Sequence, residues 1–549
     1  MYNQLASLTL AQQVEFLTKR LIEMESYSGT AGELDKANYL YEIIASFPYF
    51  QDYPDYVWKQ DIEGDERINV WAFLQGNSNK KETVIYHAHV DTVGIEDYGK
   101  LKDIAHDPDK LAAFFKSYDG DEEARHDARS GDWMFGRGSL DMQSGISIHL
   151  ANILYYMNHR EKLDGNILIL FNADEENQHV GIRGALGELV RLQQERGLSY
   201  VAAINNDFIS PLYNGDQTKY VYCGGAGKLL PCFSILGREA HVGESLLGID
   251  PTLIASEINR SINQNFSLAE KLDNELVLPP SCLFMKESKQ SYNVQTPVSI
   301  RMYFNYFIYK KTPSDVLVSL KRIAQTACVK IENKLANNYT AFCKANNLPE
   351  RSINWKTDVM TIQEYIEYLK EHGEEPEKHL NSLLKSLPED LDDRLKAFEL
   401  VEGLQQLDPE KKPRVILFFA TPFLPSNTLQ MDEQSVYLKE VLEEVLQEAE
   451  EEYKEVFPLR GYFPYLCDGS FLAFNGNQTE IETVVANFPG MNELFPLDLG
   501  KMQSLNIPAL NIGVYGKGGH KWTERVYKPY TFQTLPLLIR KVTERLLTL

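Results

Sequence analysis

Asn166-Ile167-Leu168-Ile169-Leu170-Phe171-Asn172-Ala173-Asp174-Glu175-Glu176 is a continuous apolar run that ends in three acids. A strand buried on one face alternates polar and apolar side chains, whereas an unbroken run requires cover on both faces. The stretch Asn166 to Phe171 therefore predicts a central strand in a sheet covered by helices. It also delivers carboxylates where that strand runs out. Charge at the end of a buried strand requires compensation, and a bound cation supplies it economically.

Outward from this run, Thr83 to Tyr86 reads as a second strand, with His89-Val90-Asp91 at its end, and Ser144 to Met157 reads as a helix between the two. The order strand, loop, helix, strand is that of an α/β domain, whose ligands gather at the carboxyl ends of the strands. Apolar residues at helical spacing predict two covering helices, Leu8 to Glu25 and Leu34 to Ser46. A strand over Ala509 to Val514 and a helix over Leu535 to Leu547 complete this domain. Lys439 to Val456 sets glutamates above an apolar stripe and reads as a solvated helix face.

After Gly224-Gly225-Ala226-Gly227 the texture changes. Strands over Leu229 to Leu236 and Val298 to Tyr309, helices over Asp250 to Asn265 and Pro313 to Asn346, several short helices within 346–413, and a strand over Val415 to Ala420 predict a second, α+β domain. The expected fold class is α/β: a helix-covered mixed sheet interrupted by an inserted α+β domain. The expected boundaries are 1–219 for the first part of the main domain, 220–429 for the insertion with its extra helical segment 346–413, and 430–549 for the second part.

A chain of 549 residues exceeds what one core usually supports. Its 78 acidic and 55 basic side chains give a net charge of −23, which repels nucleic acid and anionic lipid surfaces. The N-terminus lacks a basic and apolar leader pattern, and no run approaches the ~18 apolar residues of a membrane span, so the expectation is a cytoplasmic protein without membrane or nucleic-acid partners. Six scattered cysteines without a Cys-x-x-Cys pair signal neither a thiolate zinc site nor a disulfide framework.

Candidate chemistry lies in short islands. His89 and Asp91 are two residues apart and so share one face of an extended strand end. One can bind a metal while the other holds the imidazole or lines the site. His87, on the same face but earlier in the strand, reads as a packed or supporting histidine. Gly136-Arg137-Gly138-Ser139-Leu140-Asp141-Met142 lets the chain turn tightly at Asp141, which either binds a cation or caps the following helix. Glu175 and Glu176, adjacent in extended chain, project to opposite sides. That allows Glu176 to face a cation and Glu175 to act as general base toward a water and then protonate a leaving nitrogen.

Together with Gly519-His520-Lys521-Trp522-Thr523-Glu524, these islands resemble the M20 family of metallopeptidases and deacylases. The family pattern is H-x-D, G-R-G-x-x-D-M-K, an E-E pair and a late H-x-x-x-E, and the long form of the chain looks most like the RocB-type arginine-utilisation proteins. The resemblance implies that His89 and Asp207 bind one metal, that Glu176 and His520 bind the other, and that Asp141 bridges both. Asp207 stands in Asn205-Asn206-Asp207-Phe208, where the family usually has Gly-Glu-Pro. The resemblance further implies a lid domain in which His241, within Gly237-Arg238-Glu239-Ala240-His241, polarises the scissile carbonyl, and Asn293 reaches the substrate.

The expected activity is that of a metal-dependent hydrolase with two divalent ions, zinc first, with cobalt or manganese also suited to the ligands. It is expected to cleave an amide of a small N-acylated amino acid or a short peptide, with arginine-related amides the first class to test. Unblocked dipeptides form the alternative substrate class, and a non-catalytic metal-binding homologue the alternative to an enzyme. The lid is expected either to serve a homodimer partner or to imitate one within a single chain. Three departures from the family pattern stand out: Gln143 for Lys, Gln178 for Gly, and Asn305-Tyr306-Phe307 in place of Asp-x-Arg.

Overall fold

The structure, a computed structural model, describes residues 1–548 apart from 273, 274, 290, 430–432 and 466. The expected boundary at residue 430 lies outside the described residues. The chain forms two compact units. Unit 1 comprises Met1–Gly225, Asn427–Phe474 and Lys501–Leu549, and unit 2 comprises Ala226–Ser426 and Asn475–Gly500.

Unit 1 is built on an eight-stranded mixed sheet. Its strands are β1 (Val57–Asp61), β2 (Ile68–Gln75), β3 (Glu82–His89), β4 (Asn166–Asn172), β5 (Ser199–Asn205), β6 (Val221–Tyr222), β7 (Leu459–Arg460) and β8 (Ala509–Asn511). The spatial order is β1-β2-β4-β3-β5-β8-β6-β7. The neighbours β4, β3, β5 and β8 run parallel, so their carboxyl ends open on the same edge. All seven residues of β4 are buried, as its unbroken apolar run requires.

The helices cover this sheet. They are α1 (Leu10–Ile22), α2 (Ala31–Ala45), α3 (Gln143–Asn158), α4 (Val180–Arg196), α5 (Glu433–Tyr453) and α6 (Leu535–Leu546). Ile167, Ile169 and Phe171 share one core with residues of α1, α2, α3, α5 and α6. Leu168 and Leu170 alternate to the other face, and α4 packs against β2 and β4. Thr9 and Gln12 form a capping box that starts α1. The sequence-based bounds of α1, α2, α3 and α6 differ from the observed ones by a few residues at the ends, where caps and fraying decide. The expected strand over Ala509 to Val514 is divided instead: β8 stops at Asn511, and a second strand begins at Val514.

Unit 2 is α+β. Its six-stranded sheet has the order 227–229, 299–308, 231–236, 414–419, 358–361, with 281–287 also pairing with 299–308. The helix Pro313–Ala345 opens with a Thr312/Asp315 capping box and Pro313 in its first turn. The segment expected to hold only short helices also contains the strand Asp358–Thr361, which pairs in parallel with Arg414–Phe419. Asn475–Gly500 joins this unit as well, which no periodicity in the sequence reveals.

A buried ion pair supports the unit 2 sheet. Arg414, 1% exposed, donates from Nε to Asp408 Oδ2 at 2.6 Å and from Nη2 to Oδ1 at 3.2 Å. Burial acts to raise the Asp408 carboxyl, but the Arg414 guanidinium outweighs it and holds the group below its ordinary value. A depressed carboxylate stabilises the fold above its unfolded pKa of about 3.9, and that contribution disappears as pH falls through the lower folded value. Asp408→Asn should therefore cost up to about 3 kcal/mol near neutral pH. The gap to wild type should narrow below about pH 4, as read from denaturant midpoints across a pH series.

Candidate metal and catalytic site

Four parallel strands end at one edge, and the candidate residues follow those ends directly. Asp91 comes after β3, Glu175 and Glu176 after β4, and Asp207 after β5. A second, small sheet draws in the rest. Its order is 133–135, 525–527, 514–517, 208–209. It therefore ties together the chain entering the Asp141 turn, both flanks of the His520 loop, and the residue after Asp207.

Close backbone packing accompanies this sheet. A Cβ on Gly513 would lie 1.8 Å from the Asp207 carbonyl oxygen, so only glycine lets the chain after β8 pass there. Gly138 has φ +78°, a backbone that L side chains rarely adopt, and permits the turn that presents Asp141.

Asp141 lies between two imidazoles. His89 Nε2 is 3.0 Å from its Oδ1, and His520 Nε2 is 3.0 Å from its Oδ2. His520 Nε2 also lies 3.0 Å from Glu176 Oε1. Asp141 does not cap α3: the residue at the N-cap is Met142, and the Asp141 carboxylate is spent on the two histidines. Asp91 stands behind His89, with Oδ1 3.4 Å and its carbonyl oxygen 3.1 Å from Nδ1. The Asp91 carboxylate also accepts the backbone N–H groups of Glu175 at 3.0 Å and Glu176 at 3.1 Å.

The Glu pair corrects one local expectation. Residues 175–178 form a turn rather than extended chain. The two carboxylates diverge because Asp174, at φ +65°, bends the backbone and Asp91 holds the two amides. Asp174 is fixed in turn by Arg67 Nη1 at 2.6 Å, and its own N–H donates to Glu33 Oε2 at 2.9 Å.

The electrostatics are those of an acidic pocket short of positive charge. Burial pushes Glu175 and Asp207 well above the usual carboxylate range, and pushes Glu176 up as well. For Asp207 and Glu176 the Asp141 charge adds to the effect. Burial also opposes ionisation of Asp141, but the bonds from His520 and His89 outweigh it and hold that group low. His520 is pushed up to about 11 by its bonds to Asp141 and Glu176.

Five carboxylates therefore face two imidazoles. These oxygen and imidazole donors suit zinc, manganese or cobalt, and ligand atoms of His89, Asp141 and Glu176 lie within 4.8 Å of one another, close enough to hold a metal ion. The residues fit divalent cations. Asp207 stands outside that three-residue group, although the charges of Asp141 and His89 reach it.

Glu524 supports the turn from below. Its Oε1 accepts the backbone N–H groups of Leu140 at 3.0 Å and Asp141 at 3.2 Å, and its Oε2 takes Arg137 Nη1 at 2.7 Å. Both side chains are 1% exposed. Arg137 keeps Asp97 at 2.9 Å on Nη2, so Glu524→Ala removes one of its two carboxylate partners and leaves the Leu140 and Asp141 amides unpaired, with an expected cost of about 2–4 kcal/mol in denaturant unfolding.

A family model described as Peptidase family M20/M25/M40 matches residues 86–484. The chain belongs to that family. It is 49% identical over 549 residues, all of this chain and 97% of the relative, to Protein RocB of Bacillus subtilis (strain 168). It is 34% identical to Uncharacterized protein YqjN of the same organism, over 95% of this chain and 94% of the relative. Among solved structures, aminopeptidase PepT from Bacillus cereus ATCC 10987 superposes with a TM-score of 0.52 at 12% identity, covering 98% of each chain. That likeness is one of fold.

The remaining M20-pattern residues fall in unit 2. His241 and Asn293, far apart in sequence, are neighbours there: residue 241 bridges to Gln295, and Asn293 shares side-chain and backbone hydrogen bonds with Gln295. Both are exposed, and His241 Nδ1 accepts the Gly243 N–H at 3.1 Å. Gln143, at the usual M20 lysine position, is buried and donates to the Val90 carbonyl at 3.1 Å, so it serves the His89 strand end.

Several residues around the site were not anticipated. Lys36 on α2 is 1% exposed, and burial pulls its ammonium down to about 7 against the opposing charge of Asp91. Residues 95–132 form a helical insert with helices Pro108–Phe115 and Glu122–Ser130. It packs Phe114, Phe115 and Tyr118 against Trp522, next to His520, and holds Lys517 and Arg525 through Asp127. Asp107-Pro108 and Asp121 are N-cap signals from which these helices could have been read. His179 and Asp468 form a second metal-sized group with Glu175.

Proposed function

We propose that this M20 hydrolase cleaves the amide bond of a small N-acylated amino acid or short peptide, with an arginine-related amide as the first class to test. The observation that carries the reading is the Glu175 carboxylate, raised by burial, beside the His89–Asp141–His520–Glu176 cluster at the strand ends. On this reading His89 and Asp207 would hold one divalent cation, Glu176 and His520 would hold a second, and Asp141 would serve both. Bound there, the cations supply Lewis-acid polarisation of the scissile carbonyl and favour a nucleophilic water at neutral pH.

The chain's own residues then have distinct tasks. Asp91 orients His89 and, through the amides of Glu175 and Glu176, fixes the turn that carries the base. Glu175 accepts a proton from the attacking water at its carboxylate and delivers it to the leaving nitrogen. His241 and Asn293, adjacent in the unit read as the lid, are assigned to substrate recognition. Arginine-related amides come first because of the resemblance to the RocB-type arginine-utilisation proteins; the chain is 49% identical to Protein RocB.

A metal-replete preparation assayed on N-acylarginines, other N-acylamino acids and unblocked dipeptides tests this reading. Faster turnover of blocked substrates supports it, and exclusive turnover of free-amine dipeptides replaces it with a dipeptidase. Absence of hydrolysis across the panel, with Glu175→Gln changing nothing measurable, refutes the catalytic reading.

A further inference from the structure

We propose that His179 and Asp468 act as positioning residues for Glu175, a buried aspartate–histidine pair that sets the orientation of the catalytic carboxylate. This rests on the assignment of Glu175 as the base. A Glu175 carboxylate oxygen, a His179 ring nitrogen and an Asp468 oxygen all lie within 4.8 Å of one another. His179 is 4% exposed and Asp468 1%. His179 Nδ1 is 2.7 Å from Asp468 Oδ1. With Nδ1 committed to Asp468, Nε2 is the ring nitrogen that, under this proposal, would meet the neighbouring Glu175 carboxylate. A carboxylate on one nitrogen fixes the tautomer and the ring plane presented by the other.

Asp468 is itself held in place. Its Oδ2 accepts Asn172 Nδ2 at 2.5 Å, and Asn172 Oδ1 accepts His87 Nε2 at 2.7 Å. Phe471, in the same 3-10 turn (Asp468–Leu472), places its ring 5.0 Å from that of His179. A hydrogen-bonded chain thus runs from His87 on β3 through Asn172 at the end of β4 to Asp468 and His179, beside Glu175. His179, at φ +56°, stands at the N-cap of α4 without a side-chain cap bond, so its ring is free of the usual capping task.

The group also has the composition of a cation site, but both Asp468 oxygens already accept hydrogen bonds, from His179 and Asn172, which accounts for its buried charge without a metal. Positioning and ligation differ in what they predict for metal content.

The test compares Asp468→Asn, His179→Gln and Glu175→Gln, and the double variants that combine Glu175→Gln with each of the first two, in the metal-replete full chain on whichever amide is turned over. The expected result is a fall in kcat of about 10–100-fold for Asp468→Asn and His179→Gln, with KM and bound metal per chain as in wild type. In the Glu175→Gln background the same changes should add nothing, because residues that act through one group are not additive. In metal-free wild type, a histidine-labelled NMR spectrum should show a slowly exchanging Nδ1 proton for His179 that is lost in His179→Gln. Wild-type kcat in both single variants, an equal further loss in the Glu175→Gln background, one metal fewer per chain in Asp468→Asn, or no protected Nδ1 proton each overturns the proposal. Should Glu175→Gln itself retain the wild-type rate, the base assignment fails and the proposal falls with it. A drop in Glu175→Gln without one in the other two overturns the positioning pair alone.

Discussion

Asp141→Ala should strip the protein of its divalent cations and of its hydrolytic activity together. Two unit charges 4 Å apart repel by about 4 kcal/mol at an effective dielectric of 20, and doubly charged ions by about four times as much, roughly 16 kcal/mol. A bridging carboxylate is what makes such a pair tolerable, and Asp141 is the acid with an imidazole on each of its oxygens. Elemental analysis after dialysis should give about two ions per wild-type chain and fewer than one for Asp141→Ala. Retention of both ions in the variant would falsify the bridging role. The comparison is informative because Asp141 caps no helix, so its loss does not remove a start signal of α3.

The second large effect concerns the reaction rather than the ions. Glu175→Gln keeps the size of the side chain and removes its capacity to take a proton. General-base contributions of about 10²–10⁴-fold set the expected drop in kcat, equivalent to about 3–5 kcal/mol of barrier. Metal content at the Asp141 centre should be unchanged, because the group there consists of His89, Asp141 and Glu176, whereas Glu175 groups with His179 and Asp468. A coupled loss of metal and rate would recast Glu175 as a ligand.

The sheet was legible because its central strand is written without polar interruption. Ile167 to Phe171 admits little other than two-sided burial, and the acids after it mark the ligand edge. The islands around His89, Asp141, Glu175 and Glu176, and His520 were legible as residue types at strand ends and turns, and the structure brings them to one place.

Other features carried no local signal. Glu33 and Lys36 lie on the buried stripe of α2 with Ala37 and Leu40, and a charged residue on such a stripe reads as solvent-facing until its partners are known. Those partners, Asp91, Asp174 and Arg67, come from other elements. Asp468 sits in an Asp-Gly-Ser turn with ordinary loop composition, and only the fold sets it against His179 and Asn172. The turn geometry of Glu175 and Glu176 was likewise out of reach, since it depends on Asp91 accepting both of their amides.

Acidity and hydropathy retain a limited role. The net charge of −23 stands against polyanionic partners. Among the described residues no helix is long and apolar enough to cross a membrane.

The most direct test of the two-cation centre is an anomalous-difference map from crystals of the full chain grown with zinc or manganese. The account predicts two peaks about 3.5–4 Å apart, one on the His89 and Asp207 side of Asp141 and the other on the Glu176 and His520 side. A map with no peak at Asp141, or with metal only at Glu175, His179 and Asp468, would contradict it.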